Sequence, residues 1–347
     1  MKSENKKTKK ILNDDKIIFE IEDKKTGIES IFAFKDGDLL VFKNNICSIL
    51  YDGKTFSQKL ELSFLGALCS FCYLNEEEFI VIKDFYFSLY KFGNNRTNCK
   101  LITTINKNEY QEINKKIFCL SNNDLISISE LYFEAIIKIF RRISENNQFK
   151  EYQLLDNYKL NEIGDVINLD NDQFLTIKKY QNADNILLKV YSNKSYIILR
   201  NNRIQCTVKN KRRIAFFSDL PFIKVNKNKL LFGNSSFLYI FCTDTLELET
   251  TIKISPEIRG IRIFGNNSII LFETNKELID LKNVIKYYIT KVWINFENNE
   301  FIKKESEEIT EEIGEFKTLF NICNYLDNGL ATITDQYKLK IYKNMSD

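Results

Sequence analysis

Apolar and polar residues alternate in short runs along most of the chain, a pattern typical of β-strands. One phrase recurs: an apolar residue, a polar residue, an apolar residue and then an aromatic one. The aromatic residues of the seven copies, the first copy being looser, are Tyr51, Tyr90, Phe140, Tyr191, Phe241, Trp293 and Tyr342. They are 39, 50, 51, 50, 52 and 49 positions apart. This near-constant period indicates seven structural repeats.

Each repeat also contains a polar turn between two apolar runs, upstream of its aromatic residue. The turns lie at residues 35–37, 75–77, 121–123, 170–172, 226–228, 265–267 and 327–329. Asn, Asp and Gly tolerate the positive φ of tight hairpin turns, so each repeat is predicted to contain a β-hairpin. With the strand that carries the aromatic phrase and one more strand after it, every repeat becomes a four-stranded antiparallel blade.

The sequence therefore predicts an all-β fold, a seven-bladed β-propeller that forms a single domain over residues 16–347. Residues 1–15 are predicted to be a flexible basic tail. A strand at residues 16–22 is predicted to close the ring as the outer strand of the last blade. The predicted blades cover roughly residues 28–65, 66–112, 113–160, 161–215, 216–257, 258–312 and 313–347.

A turn, a strand, a short loop and then apolar-Lys-apolar-aromatic resembles the inner half of a WD repeat. The resemblance extends from about residue 27 to residue 342, and it implies a propeller that holds other proteins. The chain departs from the WD pattern because it has no Gly-His pair, and only Trp293 occupies a Trp position. The buried His-Ser/Thr-Asp-Trp network of WD repeats cannot form, so the blades are predicted to cohere through apolar packing, with aromatic side chains wedged between neighbouring sheets.

Composition excludes the commonest catalytic centres. The chain of 347 residues contains no histidine, so it cannot hold a Ser-His-Asp or Cys-His arrangement or a His-ligated metal. The 50 Lys and Arg residues against 47 Asp and Glu residues give a net charge of +3, which does not indicate nucleic acid or an anionic membrane. We expect a non-catalytic protein without a cofactor or a metal. An enzyme that uses carboxylates inside the ring is the remaining catalytic alternative.

The eight cysteines are scattered, mostly in strand-like runs, and the Lys-rich start of the chain has no apolar signal-peptide core. They are predicted to be free thiols in a reducing compartment, which is the cytoplasm or the nucleus. Cys69 and Cys72 have the spacing of a zinc knuckle. No second pair follows them, and positions three apart in a strand face opposite sides, so buried thiols are favoured. The longest apolar stretch, residues 64–74, is shorter than the ~20 residues of a membrane span.

The loops between the second and third strands of each blade share one face with the connections between blades. Three of these loops are predicted to be enlarged, at residues 130–134, 180–185 and about 275–287. Tyr132, Phe133 and Tyr180 are the candidate partner-binding residues, because exposed aromatic side chains concentrate binding energy. Packing of the aromatic side chains in residues 130–134 against their own blade is the alternative.

Two basic clusters are candidate phosphate contacts. Arg141 and Arg142, in the segment 140–143, resemble the Phe-Arg-Arg-Gly motif of phosphoinositide-binding autophagy propellers, with Ile143 in place of the glycine. The densest internal cluster could contact RNA or lipid phosphates, with a solvated loop as the alternative. It consists of Lys209, Lys211, Arg212 and Arg213. The sequence thus favours a scaffold for protein–protein interactions in a multiprotein complex, with a phosphoinositide- or RNA-binding propeller as the alternative function.

Overall fold

A computed structural model shows 28 β-strands and a short 3-10 helix, Asn94–Arg96, in the part of the chain that it describes. The residues that the structure describes are 17–22, 28, 30–43, 47–63, 70–82, 86–106, 112–131, 134–143, 148–159, 162–180, 185–205, 222–226, 228–234, 237–254, 257–263, 268–279, 282–308, 322–325, 329–334 and 338–342.

The first strand, β1 (Ile17–Glu22), precedes the blades, and three complete blades follow it. Blade one contains β2 (Ser30–Ala33), β3 (Leu39–Lys43), β4 (Cys47–Tyr51) and β5 (Gln58–Ser63). Blade two contains β6 (Ser70–Tyr73), β7 (Glu78–Ile82), β8 (Tyr86–Phe92) and β9 (Cys99–Asn106). Blade three contains β10 (Glu112–Cys119), β11 (Leu125–Leu131), β12 (Glu134–Ile143) and β13 (Gln148–Lys159).

Four further blades complete the ring. Blade four contains β14 (Glu162–Leu169), β15 (Gln173–Tyr180), β16 (Asn185–Ser192) and β17 (Ile198–Gln205). Blade five contains β18 (Phe222–Asn226), β19 (Lys229–Asn234), β20 (Phe237–Cys242) and β21 (Leu248–Lys253). Blade six contains β22 (Glu257–Ile263), β23 (Ser268–Ile279), β24 (Lys282–Asn295) and β25 (Glu300–Glu308). Blade seven contains β26 (Ile322–Tyr325), β27 (Gly329–Thr334) and β28 (Lys338–Tyr342).

The predicted ring closure is confirmed. Blades one to six are antiparallel sheets of four consecutive strands, whereas the sheet of blade seven has the order β1-β28-β27-β26. Strand β1 pairs antiparallel with β28, so that Phe19 lies opposite Ile341 and Ile21 lies opposite Leu339. The first described strand is therefore the outer strand of the last blade, and its pairing with β28 closes the ring through backbone hydrogen bonds.

The predicted hairpin turns lie between the first and second strands of the blades wherever those turns are described. Three of the four fully described turns contain residues in the left-handed conformation that Gly, Asn and Asp tolerate: φ is 94° at Gly37, 64° at Asn123, 59° at Asn171 and 54° at Asp172. These residues let blades one, three and four reverse the chain within a few positions, which fixes where their second strands begin.

The predicted apolar packing between neighbouring blades is also confirmed. Side chains of blades two and three form one buried cluster, in which the rings of Phe87 and Phe140 meet edge to face with their centroids 5.0 Å apart. Equivalent clusters join blade seven to one, one to two, three to four, four to five and five to six. Each blade is thus held by the faces of its neighbours rather than by a core of its own.

Two of the predicted enlarged loops are extended hairpins instead. Strands β23 and β24 pair without a break from Ser268 and Trp293 as far as Ile279 and Lys282. In blade three, β11 and β12 pair as far as Leu131. The loop prediction was wrong here because continued pairing satisfies the backbone N–H and C=O groups of the extra residues.

Candidate functional site

One face of the propeller carries the turns between first and second strands and the corners between third and fourth strands. We call it the turn face. At this face an acidic residue stands where the second strand begins in each of the first three blades: Asp38, Glu78 and Asp124. All three are buried, and each accepts hydrogen bonds from side chains of the next blade. A buried carboxylate requires such partners, because it has lost its hydration.

Between blades one and two, the partner is Arg96, which the 3-10 helix places at the corner of blade two. Its Nη1 donates to Asp38 Oδ2 at 3.0 Å and to Asp36 Oδ2 at 2.5 Å, and its Nη2 donates to Glu76 Oε2 at 2.7 Å. The guanidinium carbon lies 4.0 Å from the centre of the Phe34 ring. Burial alone would raise the pKa of Asp36, but the hydrogen bond and charge of Arg96 lower it.

A polar cleft of about 1130 Å³ lies over this joint, between blades one and two. Its walls carry five carboxylates and four cationic side chains. Lys59 Nζ lies 2.8 Å from Asp38 and 3.3 Å from Asp52, and Lys91 pairs with Glu77 at 3.0 Å. Because these charges largely neutralise one another, the cleft functions as a joint between two blades and presents no strong field of one sign.

Between blades two and three, Arg142 forms a bidentate ion pair with Glu78. The Nη1–Oε2 distance is 2.8 Å and the Nη2–Oε1 distance is 2.9 Å. The hydrogen bonds from Arg142 hold the pKa of Glu78 below its ordinary value. The backbone N–H of Arg142 also donates to Asp124 at 3.1 Å. Arg142 therefore connects Glu78 of the second blade to Asp124 of the third.

Between blades three and four, the donor is a phenol. Tyr196, at the corner of blade four, donates its hydroxyl proton to Asp124 in blade three. Burial and this hydrogen bond raise the pKa of Tyr196. Asn122 Nδ2 donates to the carbonyl oxygen of Asn193 at 2.8 Å, and Asn193 Nδ2 donates to Ser121 Oγ at 2.5 Å. This joint is therefore built from neutral hydrogen-bond donors of blades three and four around the Asp124 carboxylate.

These joints add polar contacts, which were not predicted, to the apolar packing between the blades. The network of WD repeats is absent, but a different polar network, between blades instead of within them, occupies the turn face. The sequence contains one signal of it, since an acidic residue precedes the second apolar run in three successive repeats: Asp38, Glu78 and Asp124.

The two candidate phosphate-contact residues of blade three point in different directions. Arg142 faces Glu78 in blade two, whereas Arg141 lies over the rings of Tyr152 and Tyr196, with 3.8 Å and 5.7 Å from its guanidinium carbon to the ring centres. Adjacent residues of a strand face opposite sides, so the two guanidinium groups do not converge on one point. A phosphate at Arg142 would have to displace the Glu78 carboxylate.

The other sequence-predicted residues are less fully placed. Tyr132 and Phe133 lie outside the described residues, as do all four residues of the basic cluster from Lys209 to Arg213. Tyr180 is the last residue of β15, and only its backbone is described. The structure therefore does not bring the candidate partner-binding residues together, and their role stays a prediction.

Sequence reasoning missed a group of exposed apolar side chains on the outer rim. Ile197, Ile198 and Leu199 follow directly on Tyr196 and are 60%, 47% and 45% exposed. Tyr152, on the outer strand of blade three, is 49% exposed, and its ring centre lies 5.7 Å from that of Tyr196. The signal in the sequence was three successive apolar residues after a polar corner, which broke the alternation expected of an edge strand.

Cys72, Cys99 and Cys119 have the properties of structural thiols. Burial raises the pKa of Cys99 to about 12 and that of Cys119 to about 11, and it raises the pKa of Cys72 further still. Within the described ranges, no three Cys, Asp or Glu side chains are close enough together to hold a metal ion. The part of the chain that the structure describes contains no helix long and apolar enough to cross a membrane.

Comparison with known proteins identifies the fold. No protein-family model and no curated protein sequence matches the chain. A chain in the crystal structure of the mitotic checkpoint complex superimposes with a TM-score of 0.62 and 10% identity, covering 94% of this chain and 91% of that one. Saccharomyces cerevisiae Sqt1 gives 0.59 and 8% identity, with 94% and 98% covered. The WD40 domain of SCAP from fission yeast gives 0.55 and 12% identity, with 93% and 96% covered. The protein is a seven-bladed β-propeller with the fold of WD40 proteins.

Proposed function

We propose that the protein is a non-catalytic scaffold that holds other proteins within a multiprotein complex. The observation that carries this proposal is the group of exposed apolar side chains at Tyr152 and Ile197–Leu199, on the rim of a rigid propeller. A run of consecutive exposed apolar residues does not stabilise a folded domain, so such a run indicates a function. A partner that covers them gains the free energy of removing that surface from water.

The shape of the molecule supports the same proposal. Propeller blades are packed face to face through six described apolar clusters, and three polar joints stiffen the first four blades. A rigid surface loses little conformational entropy when a partner binds, so more of the interaction free energy appears as affinity.

A second partner surface is proposed on the face opposite the turn face, at Tyr132, Phe133 and Tyr180. We expect alanine substitutions there to weaken complex formation without lowering thermal stability, because exposed aromatic side chains contribute more to binding than to folding. Complexes that survive Y132A, F133A and Y180A unchanged would remove this surface from the proposal and leave the rim.

The proposal is tested by purifying the tagged full-length protein from its own cells at two salt concentrations and identifying the retained proteins by mass spectrometry. We expect a stoichiometric set of proteins that persists at high salt, because apolar contacts are not screened. Failure to retain any protein at either salt concentration would contradict the scaffold.

Phosphoinositide or RNA binding through the basic clusters stays the alternative. Phosphate contacts release counterions, so such binding weakens steeply as the salt concentration rises. Recovery of only RNA-binding or membrane components, lost at high salt and lost in an R212E/R213E variant, would favour it over the scaffold. The ion pair of Arg142 with Glu78 makes Arg142 less available to a phosphate.

A further inference from the structure

The corners of blades five and six differ from the other described corners between third and fourth strands. Four corners are aligned by a single residue with positive φ: Phe56, Tyr196, Leu246 and Asn299. From three positions before this residue to three after it, the sequences are Gly-Lys-Thr-Phe-Ser-Gln-Lys, Asn-Lys-Ser-Tyr-Ile-Ile-Leu, Thr-Asp-Thr-Leu-Glu-Leu-Glu and Phe-Glu-Asn-Asn-Glu-Phe-Ile. The corners of blades one and four carry only lysines as charged residues, whereas those of blades five and six carry five carboxylates and no cation.

Four of these carboxylates are exposed and are not neutralised by a cation. No Lys or Arg side chain of the described residues pairs with Asp244, Glu247 or Glu297. Glu300 accepts a hydrogen bond from the side-chain amide of Asn298 at 3.0 Å, which adds no positive charge. Each corner contributes two of the four carboxylates, at the same two positions of the alignment. Neighbouring blades therefore repeat one pattern of negative charge.

The two corners lie against each other. Asn299, at the corner of blade six, donates from Nδ2 to Oε2 of Glu249 in blade five at 3.0 Å. Glu249 is the fifth carboxylate of the two corners, and it also forms an ion pair with Lys229 of its own blade. Because this contact joins the corners, the four other carboxylates contribute to one local field.

Two further cations near these corners have partners elsewhere. Arg200 reaches blade five from blade four and donates to the carbonyl oxygen of Thr243 at 2.9 Å, which is a neutral group. Lys303 follows Ile302 on β25, and its Nζ lies 3.3 Å from a carboxylate oxygen of Glu305. Among these residues, the single charge of Arg200 opposes four unpaired carboxylates, so the field at the two corners is negative.

Apolar side chains are exposed among these carboxylates. Leu248 and Phe301 stand at the same position of the two corners and are each 40% exposed, and Ile302 is 57% exposed. They lie on β21 and β25, which are the outer strands of their sheets. Covering these side chains stabilises a complex, whereas their exposure does not stabilise the free protein. We call the seven exposed residues the corner surface: Asp244, Glu247, Leu248, Glu297, Glu300, Phe301 and Ile302.

The charge of the corner surface selects its occupant. Its carboxylates repel the phosphates of nucleic acids and anionic lipids, and they attract the Lys and Arg side chains of a protein. A ligand with cations alone would leave Leu248 and Phe301 in water, so the occupant also carries apolar side chains. A basic protein segment in which Lys or Arg residues flank apolar ones satisfies both requirements.

We propose that the corner surface is a docking site for such a basic, partly apolar segment of a partner protein. The proposal rests on the proposed scaffold function and names the chemistry of one partner. Cationic side chains meet the two carboxylates of each corner, and apolar side chains cover Leu248 and Phe301. Because the pattern occurs on two neighbouring blades, a segment that crosses both corners makes each kind of contact twice, and the second contact forms within one complex.

Peptide titration tests the site directly. The probe is a fluorescein-labelled peptide with two leucines, each flanked by lysines, and two matched peptides have glutamates in place of the lysines or serines in place of the leucines. By fluorescence anisotropy we expect the lysine–leucine peptide to bind about tenfold more tightly than either matched peptide. Its affinity should fall as the salt concentration rises from about 50 mM to about 300 mM, because exposed charges are screened.

Two results of this titration would overturn the docking site. One is failure of the lysine–leucine peptide to bind. The other is equal affinity for the lysine–leucine and lysine–serine peptides, because it would show that the corners attract any cation and that their apolar residues take no part.

The charge contacts are located with E247Q/E300Q, which removes one carboxylate from each corner and keeps the shape of the side chain. We expect this variant to bind the lysine–leucine peptide about tenfold more weakly. E61Q/E151Q is the matched control, because it removes two exposed carboxylates from the outer strands of blades one and three and changes the net charge equally. Equal losses in the two variants would assign the attraction to the net charge of the protein and overturn the site.

The apolar contacts are located with L248S/F301S, which should also bind the peptide about tenfold more weakly. L101S is the control, because Leu101 is 53% exposed on the outer strand of blade two. All of these changes are at exposed side chains, so thermal unfolding should show that the variants are folded. If L248S/F301S binds as tightly as L101S, the leucines of the peptide do not dock at the corners and the proposal is wrong.

Purification of the variants from cells separates this inference from the scaffold itself. Loss of a stoichiometric partner from both E247Q/E300Q and L248S/F301S, but from neither control, supports the site. If the two corner variants keep every partner of the unaltered protein, the site is overturned and the scaffold remains. If the unaltered protein retains no partner, the scaffold fails and the peptide titration decides the site. Self-association in sedimentation velocity that E247Q/E300Q abolishes would identify a second copy as the occupant and overturn the proposed partner.

Discussion

Arg142 of the third blade and Glu78 of the second are joined by two parallel hydrogen bonds of 2.8 Å and 2.9 Å, although they are 64 positions apart in the chain. Glu78 occupies the acidic position that recurs in the first three blades, whereas Arg142 follows the aromatic residue of its repeat by two positions. The pair shows that this propeller, which lacks the histidine-based network of WD repeats, has polar contacts that join one sheet to the next.

Breaking this pair should destabilise the protein. R142A leaves the buried carboxylate of Glu78 without its main partner, so we expect the free energy of unfolding to fall by about 3 kcal/mol. Urea denaturation followed by circular dichroism measures the change. The exposed K100A variant in the same region should stay within about 0.5 kcal/mol of the unaltered protein. An R142A value as small as that of K100A would show that the pair is not structural.

The same pair predicts a pH dependence. Arg142 lowers the pKa of Glu78 in the folded state. The stabilisation from the ion pair is therefore complete above the pKa of about 4.3 that a glutamate has in the unfolded chain, and it is lost as the pH falls through the lower pKa of the folded state. Unfolding curves of the unaltered protein and R142A should therefore converge as the pH is lowered from 6 towards 3, which are approximate limits. A constant difference over this range would contradict the charge-based explanation.

The phenol joint makes a separate prediction. Y196F removes the hydroxyl group that donates to Asp124 and leaves a buried acceptor less satisfied, so we expect a loss of about 1–2 kcal/mol. Y152F provides the matched control, because Tyr152 is exposed and its ring still supports Arg141. Thermal and urea unfolding of the two variants should differ by this amount. If they are equally stable, the hydrogen bond between blades three and four contributes nothing measurable.

Glu273 in blade six predicts the opposite response to pH. The residue is 1% exposed, and burial raises its pKa to about 6, despite a hydrogen bond from Thr290. Because the pKa of Glu273 is higher in the folded state than in the unfolded chain, ionising this carboxyl group favours unfolding. Its effect on stability is therefore most favourable below the unfolded pKa of about 4.3, and stability falls as the pH rises through about 6. At pH 7.5 or so, E273Q should therefore stabilise the protein by about 2 kcal/mol.

The exposed E297Q variant is the control for this effect. It should change the free energy of unfolding by less than about 0.5 kcal/mol, whereas E273Q should flatten the pH profile of stability between about pH 4.5 and pH 7. If E273Q destabilises the protein at every pH, the Glu273 carboxylate stabilises the folded state through its contacts, and the predicted stabilisation at high pH is wrong.

Ring closure can be tested at single residues. Alternate residues of β1 face the first blade, and the ring of Phe19 stacks on that of Phe56 at 4.4 Å. F19S/I21S should lower the free energy of unfolding by about 2–4 kcal/mol, because it removes two apolar side chains from the closing seam. E20S, on the exposed side of the same strand, should change it by less than about 0.5 kcal/mol. Equal effects of the two variants would contradict closure through β1.

Much of the fold follows from the sequence because propeller blades are built from local patterns. Alternation places the strands, and the Asn, Asp and Gly residues of the turns mark where each hairpin reverses. The aromatic phrase ending at residues such as Tyr191 and Phe241 identifies the third strand of each blade. These signals act within about 50 residues, so a single repeat contains all of them.

The site was predicted far less completely. The residues with prominent chemistry in the sequence included Arg141 and Arg142, and folding turned their side chains towards different blades. The sequence did not predict that the apolar residues after Tyr196 are exposed, because a short apolar run usually belongs to the core. Only their place on the outer strand of a sheet leaves them exposed.

The sequence by itself thus determined the number of blades, the positions of the turns in the first four blades and the strand that closes the ring. The tertiary structure decided which side chains meet between blades, as in Arg142 with Glu78 and Tyr196 with Asp124. The reason is physical: strand alternation and turn chemistry act between neighbours in the chain, whereas contacts between blades depend on the rotation of one packed sheet against the next. That rotation brings together residues 64 and 72 positions apart, and it arises only when all the blades pack into one ring.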